Sequence, residues 1–391
     1  MRYIEKDLQE NIVGSYRGVR RLLGKRFKDN FVLSTRTINY NNLEEALSDF
    51  TKYEKILLDI NDSNEYILKK VTATKYYLME LLNYDISYEE YVKNTIGVNV
   101  QITSQNIIDD IVKEIKNKLE QLKIRYTKKE IYEKFYSFSM NKKELKEYLT
   151  NEFKRQKAIV ENYLELDFND KCIIEFVDEE IPYGYYLNIG EDNYILKVNL
   201  NTNKSRFNKA NLRYAIAHEI FGHAMQLSYW NKCIREEKIN EICGCEEDYG
   251  PEIIQLEGVG ESIVYFVFKD EIDLEMEIEL LLDKLHHLVQ NNSYIMFNSG
   301  DTLEKCVDYY CDNYILSDRE SARKRILMSK EDSFYKANLY SYGSSLISFI
   351  NISEGLNLNK RKEFFRQMYL QPMTHDEILK YYQELKLGMS I

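Results

Sequence analysis

Two histidines and a glutamate fall within one six-residue segment, HEIFGH, which begins at His218. Imidazole nitrogens are good zinc ligands, and a glutamate directly after the first histidine can take a proton from zinc-bound water. The segment therefore predicts a hydrolytic centre with one Zn²⁺ per chain, in which His218 and His223 are metal ligands and Glu219 is the general base. The alternative is that the segment binds no metal and consists of two ordinary helix histidines beside a solvated glutamate.

The spacing of these histidines differs from the common HExxH, because they are five residues apart. A regular α-helix of 3.6 residues per turn would splay two such side chains by about 140°. Both reach one ion if the turn widens to an i→i+5 hydrogen bond, as in a π-helix. Gly222, just before the second histidine, would ease that distortion.

A third ligand is available downstream in the segment LEGVGES, which begins at Leu256. Glu257 would complete a His₂Glu site with an open fourth position for water, and Glu261 is the alternative. The two glycines of this segment would allow its helix to pack closely on the first. Without a metal, the segment is a glycine-flanked acid near a helix start.

Tyrosines of the segment YSYG, Tyr340 to Gly343, could donate a hydrogen bond to the oxyanion of a tetrahedral intermediate. With 33 tyrosines in the chain, packing is the competing role for each of them. Arg325 could bind a substrate carboxylate through a forked pair of hydrogen bonds. The competing expectation is that it lies on a solvated helix face.

The order of these segments resembles the bacterial helical zinc peptidases that carry HExxPGHHxQ, then EGW, and later a Tyr-x-x-Gly segment. These are similar in turn to thermostable carboxypeptidases and oligopeptidases of the gluzincin class. The resemblance covers roughly residues 184–375. It implies zinc binding by His218, His223 and Glu257, catalysis by Glu219, and a transition-state role for Tyr340.

The resemblance also implies that Tyr342 contributes to substrate binding, and that the strand Tyr194 to Leu200 is an edge that pairs with an extended substrate. The chain departs from the family pattern by lacking the proline and one residue between the histidines. It also has Ala224 in place of a second histidine and Val259 in place of an aromatic residue. A six-residue HExxxH does occur in the tyrosine carboxypeptidases that trim tubulin.

The other three histidines are predicted to lie outside the metal site. His286 and His287 are adjacent, so at most one of them could face the site, and they are interpreted as structural or surface residues. His375 follows Thr374 and precedes Glu377, which is the pattern of a capping box at a helix start.

Helical periodicity dominates the elements that must position this site. Apolar residues recur three and four apart through residues 1–165, and this predicts an N-terminal helical region. Residues 166–391 are predicted to form the catalytic region, with a small sheet at about 172–200 and the HExxxH helix at about 208–228.

Three runs favour strands, Cys172 to Val177, Tyr185 to Ile189 and Tyr194 to Leu200. Turns are predicted at 179–184 and 190–193, and the sheet is predicted to end at 201–203. Residues 271–282 alternate like a strand, but their Leu, Met and Glu favour helix. The fold is therefore predicted to be mainly α, an elongated helical unit with a small sheet beside the active helix.

Composition and charge limit the possible partners. The chain has 391 residues, a net charge of −11 and three prolines. Residues 1–150 carry a net charge of +3 and residues 151–391 carry −14, which disfavours a nucleic-acid partner and suits a cation or a positively charged peptide.

No apolar run approaches the length of a membrane helix, and the N-terminal residues do not resemble a signal peptide, so a cytoplasmic location is expected. The six cysteines are expected to be reduced thiols, although Cys233, Cys243 and Cys245 could hold a soft metal.

These observations predict a cytoplasmic zinc metallopeptidase that hydrolyses small or unfolded peptides, in the manner of a carboxypeptidase. One alternative is a zinc-dependent tailoring enzyme that acts on a dedicated peptide or amide. Another is a helical binding protein without metal. The sequence leaves the oligomeric state open.

Overall fold

The computed structural model describes residues 4–24, 32–60, 65–136, 140–180, 184–189, 193–201 and 208–388. The predicted turns at 179–184 and 190–193, and the predicted sheet end at 201–203, lie partly outside these residues.

Helices form most of the described chain, as predicted. The helices before the sheet are α1 Lys6–Leu22, α2 Leu43–Asp59, α3 Glu65–Leu81, α4 Tyr88–Thr95, α5 Gln105–Gln121, α6 Lys128–Phe135 and α7 Lys142–Leu164. After the sheet come α8 Lys209–Ala215, a π-helix Ile216–Ala224, α9 Met225–Arg235, α10 Ile253–Phe266, α11 Leu274–Asn298, α12 Leu303–Asn313, α13 Arg319–Glu331, α14 Ser333–Gly355, α15 Leu358–Met368 and α16 His375–Leu387. Short 3₁₀ turns occupy Glu241–Gly244 and Lys269–Glu271. None of the helices in this part of the chain is long and apolar enough to span a membrane.

Side-chain caps and apolar stripes explain several of these helices. Thr374 and Glu377 form the predicted capping box at the start of α16. The apolar stripe of α5 is buried from Ile108 to Leu119. Residues 274–282 belong to α11, so the helical interpretation of that ambiguous segment is confirmed from Leu274 onward.

The three predicted strands are present as β1 Lys171–Val177, β2 Tyr185–Ile189 and β3 Asn193–Asn199. Strand β3 lies in the centre of the sheet, parallel to β1 and antiparallel to β2. The prediction that this strand offers a free edge to a substrate is therefore wrong, because both of its edges are already paired. Strand β2 lies at the edge of the sheet instead, and both β2 and β3 contact the π-helix.

The hydrophobic core consists of two clusters. The first joins α1–α3, α7, the sheet, the π-helix, α9 and α10, and the second joins α4–α6 to α11–α14. Each cluster contains residues from both sides of the predicted boundary at residue 165.

A buried ion pair fastens the N-terminal helices to the start of α10. The ammonium of Lys70 in α3 contacts the carboxylate of Glu252, and each side chain is 1% exposed. Glu252 also accepts hydrogen bonds from the Tyr66 hydroxyl at 3.1 Å and from the backbone N–H of Glu247 at 2.9 Å. Since a buried charge is tolerated only when it is paired and hydrogen-bonded, this network fixes the helix that carries Glu257.

Candidate metal centre

The π-helix carries the HExxxH segment and brings its histidines side by side. The backbone N–H of Met225 donates to the carbonyl of Ile220, five residues earlier, which is the widened turn that the spacing predicts. The Nε2 atoms of His218 and His223 lie 2.9 Å apart, and the two rings are nearly perpendicular. The expectation that this backbone departs from a regular α-helix is therefore confirmed.

Two glycines allow α10 to approach the π-helix closely. A Cβ atom on Gly222 would lie 2.6 Å from the Cα of Gly260. A Cβ on Gly260 would lie 3.0 Å from the Cε1 atoms of both His218 and His223. The helices can therefore meet at this distance only because both positions are glycine.

Glu257 of α10 supplies the third potential ligand. Its Oε2 atom is 3.7 Å from the Nε2 of His218 and 3.7 Å from the Nε2 of His223. This oxygen is buried and has no hydrogen-bond partner in the described part of the chain. Adjacent ligands of a tetrahedral zinc ion with bonds of about 2.0 Å lie about 3.3 Å apart, so the three atoms fit such an ion.

The protonation of these groups also suits a cation. Burial lowers the pKa of His223 to about 4 and that of His218 well below its ordinary value, so both imidazoles are neutral as metal ligands require. Burial, followed by the charge of Glu219, raises the pKa of Glu257. A bound dication would offset this cost of a buried carboxylate.

Glu219 follows His218 directly on the π-helix. The residue is half-buried, and burial raises its pKa to about 7. Its charge contributes to the raised pKa values of Glu257, Tyr342 and Tyr185. A carboxylate in this position can accept a proton from a water held at the centre.

Tyr342, rather than Tyr340, reaches the site. The nearby hydroxyl group of Tyr342 lowers the pKa of Glu257, partly opposing the burial that raises it. The hydroxyl of Tyr340 accepts a hydrogen bond from the backbone N–H of Gln101 at 2.8 Å, and its ring packs against Tyr88 in the second core cluster. The structure therefore places Tyr340 away from the potential ligands, because residues two apart on α14 point about 160° from each other.

A second group of ionisable residues lies behind His218. Glu261 Oε1 is 3.8 Å from His218 Nδ1, on the side of the ring opposite to Nε2, and is 3.8 Å from His287 Nε2. His287 Nε2 is also 3.4 Å from Asp283 Oδ2, and the Tyr214 hydroxyl donates to Glu261. Glu261 therefore faces the ring of His218 rather than the common point of the three potential ligands. A carboxylate in that position orients a metal-binding imidazole.

His287 is the site residue that the sequence reasoning missed. Burial lowers its pKa, but Asp283 and then Glu261 raise it to about 9, so the ring is protonated and balances their charge. Its ring stacks on Tyr342 with centroids 5.6 Å apart. The i, i+4 spacing of Asp283 and His287 on one helix face was the available signal.

The remaining candidates lie farther from the potential ligands. Arg325 is exposed on α13, and its charge contributes to lowering the pKa values of His286 and His287. Its role in substrate binding stays a prediction. His286 stacks on Tyr314. His375 begins α16, and its Nε2 lies 3.1 Å from the Ser348 hydroxyl, so its predicted place outside the site is confirmed.

All six cysteines are free thiols. Among the described residues two groups could hold a metal ion, His218 with His223 and Glu257, and Glu261 with Asp283 and His287, and neither includes a cysteine.

Comparison with protein-family models and with curated proteins gives no match. Among solved structures, the chain is similar to two bacterial proteins described as "putative lipoprotein". The one from Colwellia psychrerythraea shares 12% identity and a TM-score of 0.54, over 89% of this chain and 61% of that one. The one from Shewanella oneidensis, of unknown function, shares 12% identity and a TM-score of 0.45, over 88% of this chain and 72% of that one. The crystal structure of BsuCP shares 10% identity and a TM-score of 0.43, over 97% of this chain and 90% of that one. The Colwellia similarity concerns the fold alone, and this chain spans about three fifths of the length of that protein.

Proposed function

We propose that the chain is a zinc-dependent hydrolase that cuts peptide bonds in small or unfolded peptides. The observation that carries the proposal is the convergence of His218 Nε2, His223 Nε2 and Glu257 Oε2, with separations of 2.9 and 3.7 Å, on a π-helix in which Glu219 directly follows His218. Two nitrogen donors and one carboxylate favour zinc over magnesium or calcium.

In this proposal His218, His223 and Glu257 hold the ion. When bound, zinc lowers the pKa of a water ligand to about 7 and polarises a carbonyl oxygen. Glu219 accepts a proton from the attacking water and passes it to the departing amine. Glu261 keeps the ring of His218 in the orientation that points Nε2 to the ion.

Tyr342 takes the role of oxyanion donor in this scheme. Its hydroxyl influences the pKa of Glu257, and its ring is held by stacking on His287. A tyrosine fixed in this way can donate to a negatively charged oxygen that develops near the ion without reorganising first.

We also propose that the enzyme acts at the C-terminus of its peptide. The resemblance to carboxypeptidases supports this, and Arg325, which is exposed and influences the pKa values of His286 and His287, is the candidate for binding the terminal carboxylate. A guanidinium there can bind the terminal carboxylate of the substrate in a forked pair.

The test is a digest of a peptide library by the zinc-loaded protein, with each peptide made with a free and an amidated C-terminus. Loss of one or two C-terminal residues from the free peptides alone supports both proposals. Equal cleavage of the two forms rejects the C-terminal mode while keeping the hydrolase. Absence of cleavage with zinc bound favours the dedicated tailoring enzyme.

A further inference from the structure

We propose that a cavity beside the metal centre binds a positively charged side chain of the substrate, that of lysine or arginine. This inference rests on the proposed hydrolase function and names its substrate class. The cavity has a volume of about 110 Å³ and lies between β2, α8, α11 and the ends of α6 and α12. Its walls include the acids Glu279 and Asp283 and the tyrosines Tyr136, Tyr185, Tyr214 and Tyr314.

The cavity adjoins the surroundings of His218 through Tyr214. Tyr214 forms part of its wall, the ring of Tyr214 lies 5.6 Å from that of His218, and its hydroxyl donates to Glu261. Tyr185 lies on the edge strand β2, where the charge of Glu219 reaches it. In this proposal the cavity receives a substrate side chain near the bond to be cut at the metal centre.

The carboxylate of Glu279 has neutral partners. Its oxygens accept hydrogen bonds from the Asn208 amide at 2.6 Å and from the Tyr136 hydroxyl at 3.1 Å. Among the described residues no lysine or arginine forms a salt bridge with it. Burial raises the pKa of Glu279 to about 7, a cost that a cationic group in the cavity would remove.

Negative charge exceeds positive charge around this cavity. Besides burial, the pKa of the Tyr185 hydroxyl is raised by the charges of Glu219, Asp283, Glu261 and Glu279. Asp283 is offset by the imidazolium of the neighbouring histidine of α11, while Glu279 is not offset in this way. The potential in the cavity therefore attracts a cation.

The size and the aromatic walls indicate a side chain rather than a bare ion. A single water needs about 10–15 Å³ of such a cavity, so this one admits a group of several heavy atoms. Tyrosine rings pack against the alkyl stem of a lysine or arginine, and their faces attract its charged end. A small metal ion would leave most of this volume and the tyrosine rings without a partner.

The test uses N-acetylated hexapeptides with free C-termini, in which lysine, norleucine or glutamate replaces alanine at each position in turn. At one position, the zinc-loaded protein is expected to show a kcat/KM for lysine at least about tenfold above that for norleucine, with glutamate the poorest. Glu279→Gln is expected to reduce the lysine-to-norleucine ratio about tenfold. Glu277→Gln is the matched control, because Glu277 is on the same helix but pairs with Lys118 outside the cavity, and it should leave the ratio unchanged.

The outcomes separate this inference from the proposed function. Cleavage without a preference for lysine, or a preference that survives Glu279→Gln, overturns the cavity assignment and leaves the hydrolase standing. If no peptide is cleaved, the hydrolase proposal fails, and calorimetric binding of the lysine and norleucine peptides then decides the cavity. Tighter binding of the lysine peptide that Glu279→Gln abolishes supports the cavity, and equal binding of the two peptides overturns it.

Discussion

Replacement of Gly260 by alanine should weaken zinc binding without unfolding the protein. The new Cβ would lie 3.0 Å from the Cε1 atoms of both His218 and His223, whereas ordinary carbon contacts are about 3.5–4.0 Å. The rings must therefore shift by about half an ångström, although metal sites tolerate only about 0.2 Å in ligand distance. A disturbance of the groups that orient ligands costs about 10–100-fold in affinity, or about 1.4–2.8 kcal/mol.

The same substitution has the opposite effect on the helix itself. Alanine is better than glycine in a helix interior by about 1 kcal/mol, which offsets the cost of the contact with the rings, so the metal-free Gly260→Ala protein should unfold at a urea concentration close to that of wild type. Competition with a chromogenic chelator gives the zinc affinity. Gly14→Ala in α1 is the control, since its Cβ would meet Arg36 and no site residue, and zinc affinity should be unchanged. If Gly260→Ala binds zinc as tightly as wild type, the close approach of α10 does not shape the site.

Three further predictions follow from the same geometry. Glu219→Gln should keep zinc but lose most of its hydrolytic turnover, because glutamine cannot accept the proton; wild-type rates measured with a cleaved peptide would remove Glu219 from the mechanism. Tyr342→Phe should lower kcat by about 10²-fold, whereas Tyr340→Phe, which loses a contact remote from the ligands, should lower kcat far less. A larger loss of kcat in Tyr340→Phe than in Tyr342→Phe would instead support Tyr340 as the oxyanion donor. Lys70→Met should lower the free energy of unfolding by about 3–5 kcal/mol in urea titrations, because it leaves the charge of Glu252 buried and unpaired, and a change below about 1 kcal/mol would contradict the role of this pair.

The sequence predicted the features of this site that depend on local geometry. Five-residue spacing between His218 and His223 can serve one ion only through a widened turn, so the π-helix could be expected from the motif alone. The strands could be recognised because their β-prone runs are bounded by turn residues. The capping box at Thr374 and Glu377 likewise depends on residues three apart.

The features that the sequence did not predict depend on tertiary packing. The order of the strands in the sheet depends on pairing between residues that are distant in sequence. Strand β3 is central because β1 pairs with it in parallel. The packing of α14 on α10 and α11 determines the face of α14 that lies near the metal centre. That face carries Tyr342 and not Tyr340. His287 borders the site because α11 lies against α14; the i, i+4 spacing of Asp283 and His287 indicates that the two residues pair, but not that their helix packs beside the site.

The most direct test of the central claim is the zinc content of the purified chain and of its Glu257→Ala and Glu261→Ala variants after exhaustive dialysis. We predict one zinc per chain in the wild type and none in Glu257→Ala. Glu261→Ala should keep a site of about 10–100-fold lower affinity, because its carboxylate orients His218 rather than binding the ion. A wild-type chain without zinc, or a Glu257→Ala chain that retains all of its zinc while Glu261→Ala loses it, would contradict the assignment of the metal centre.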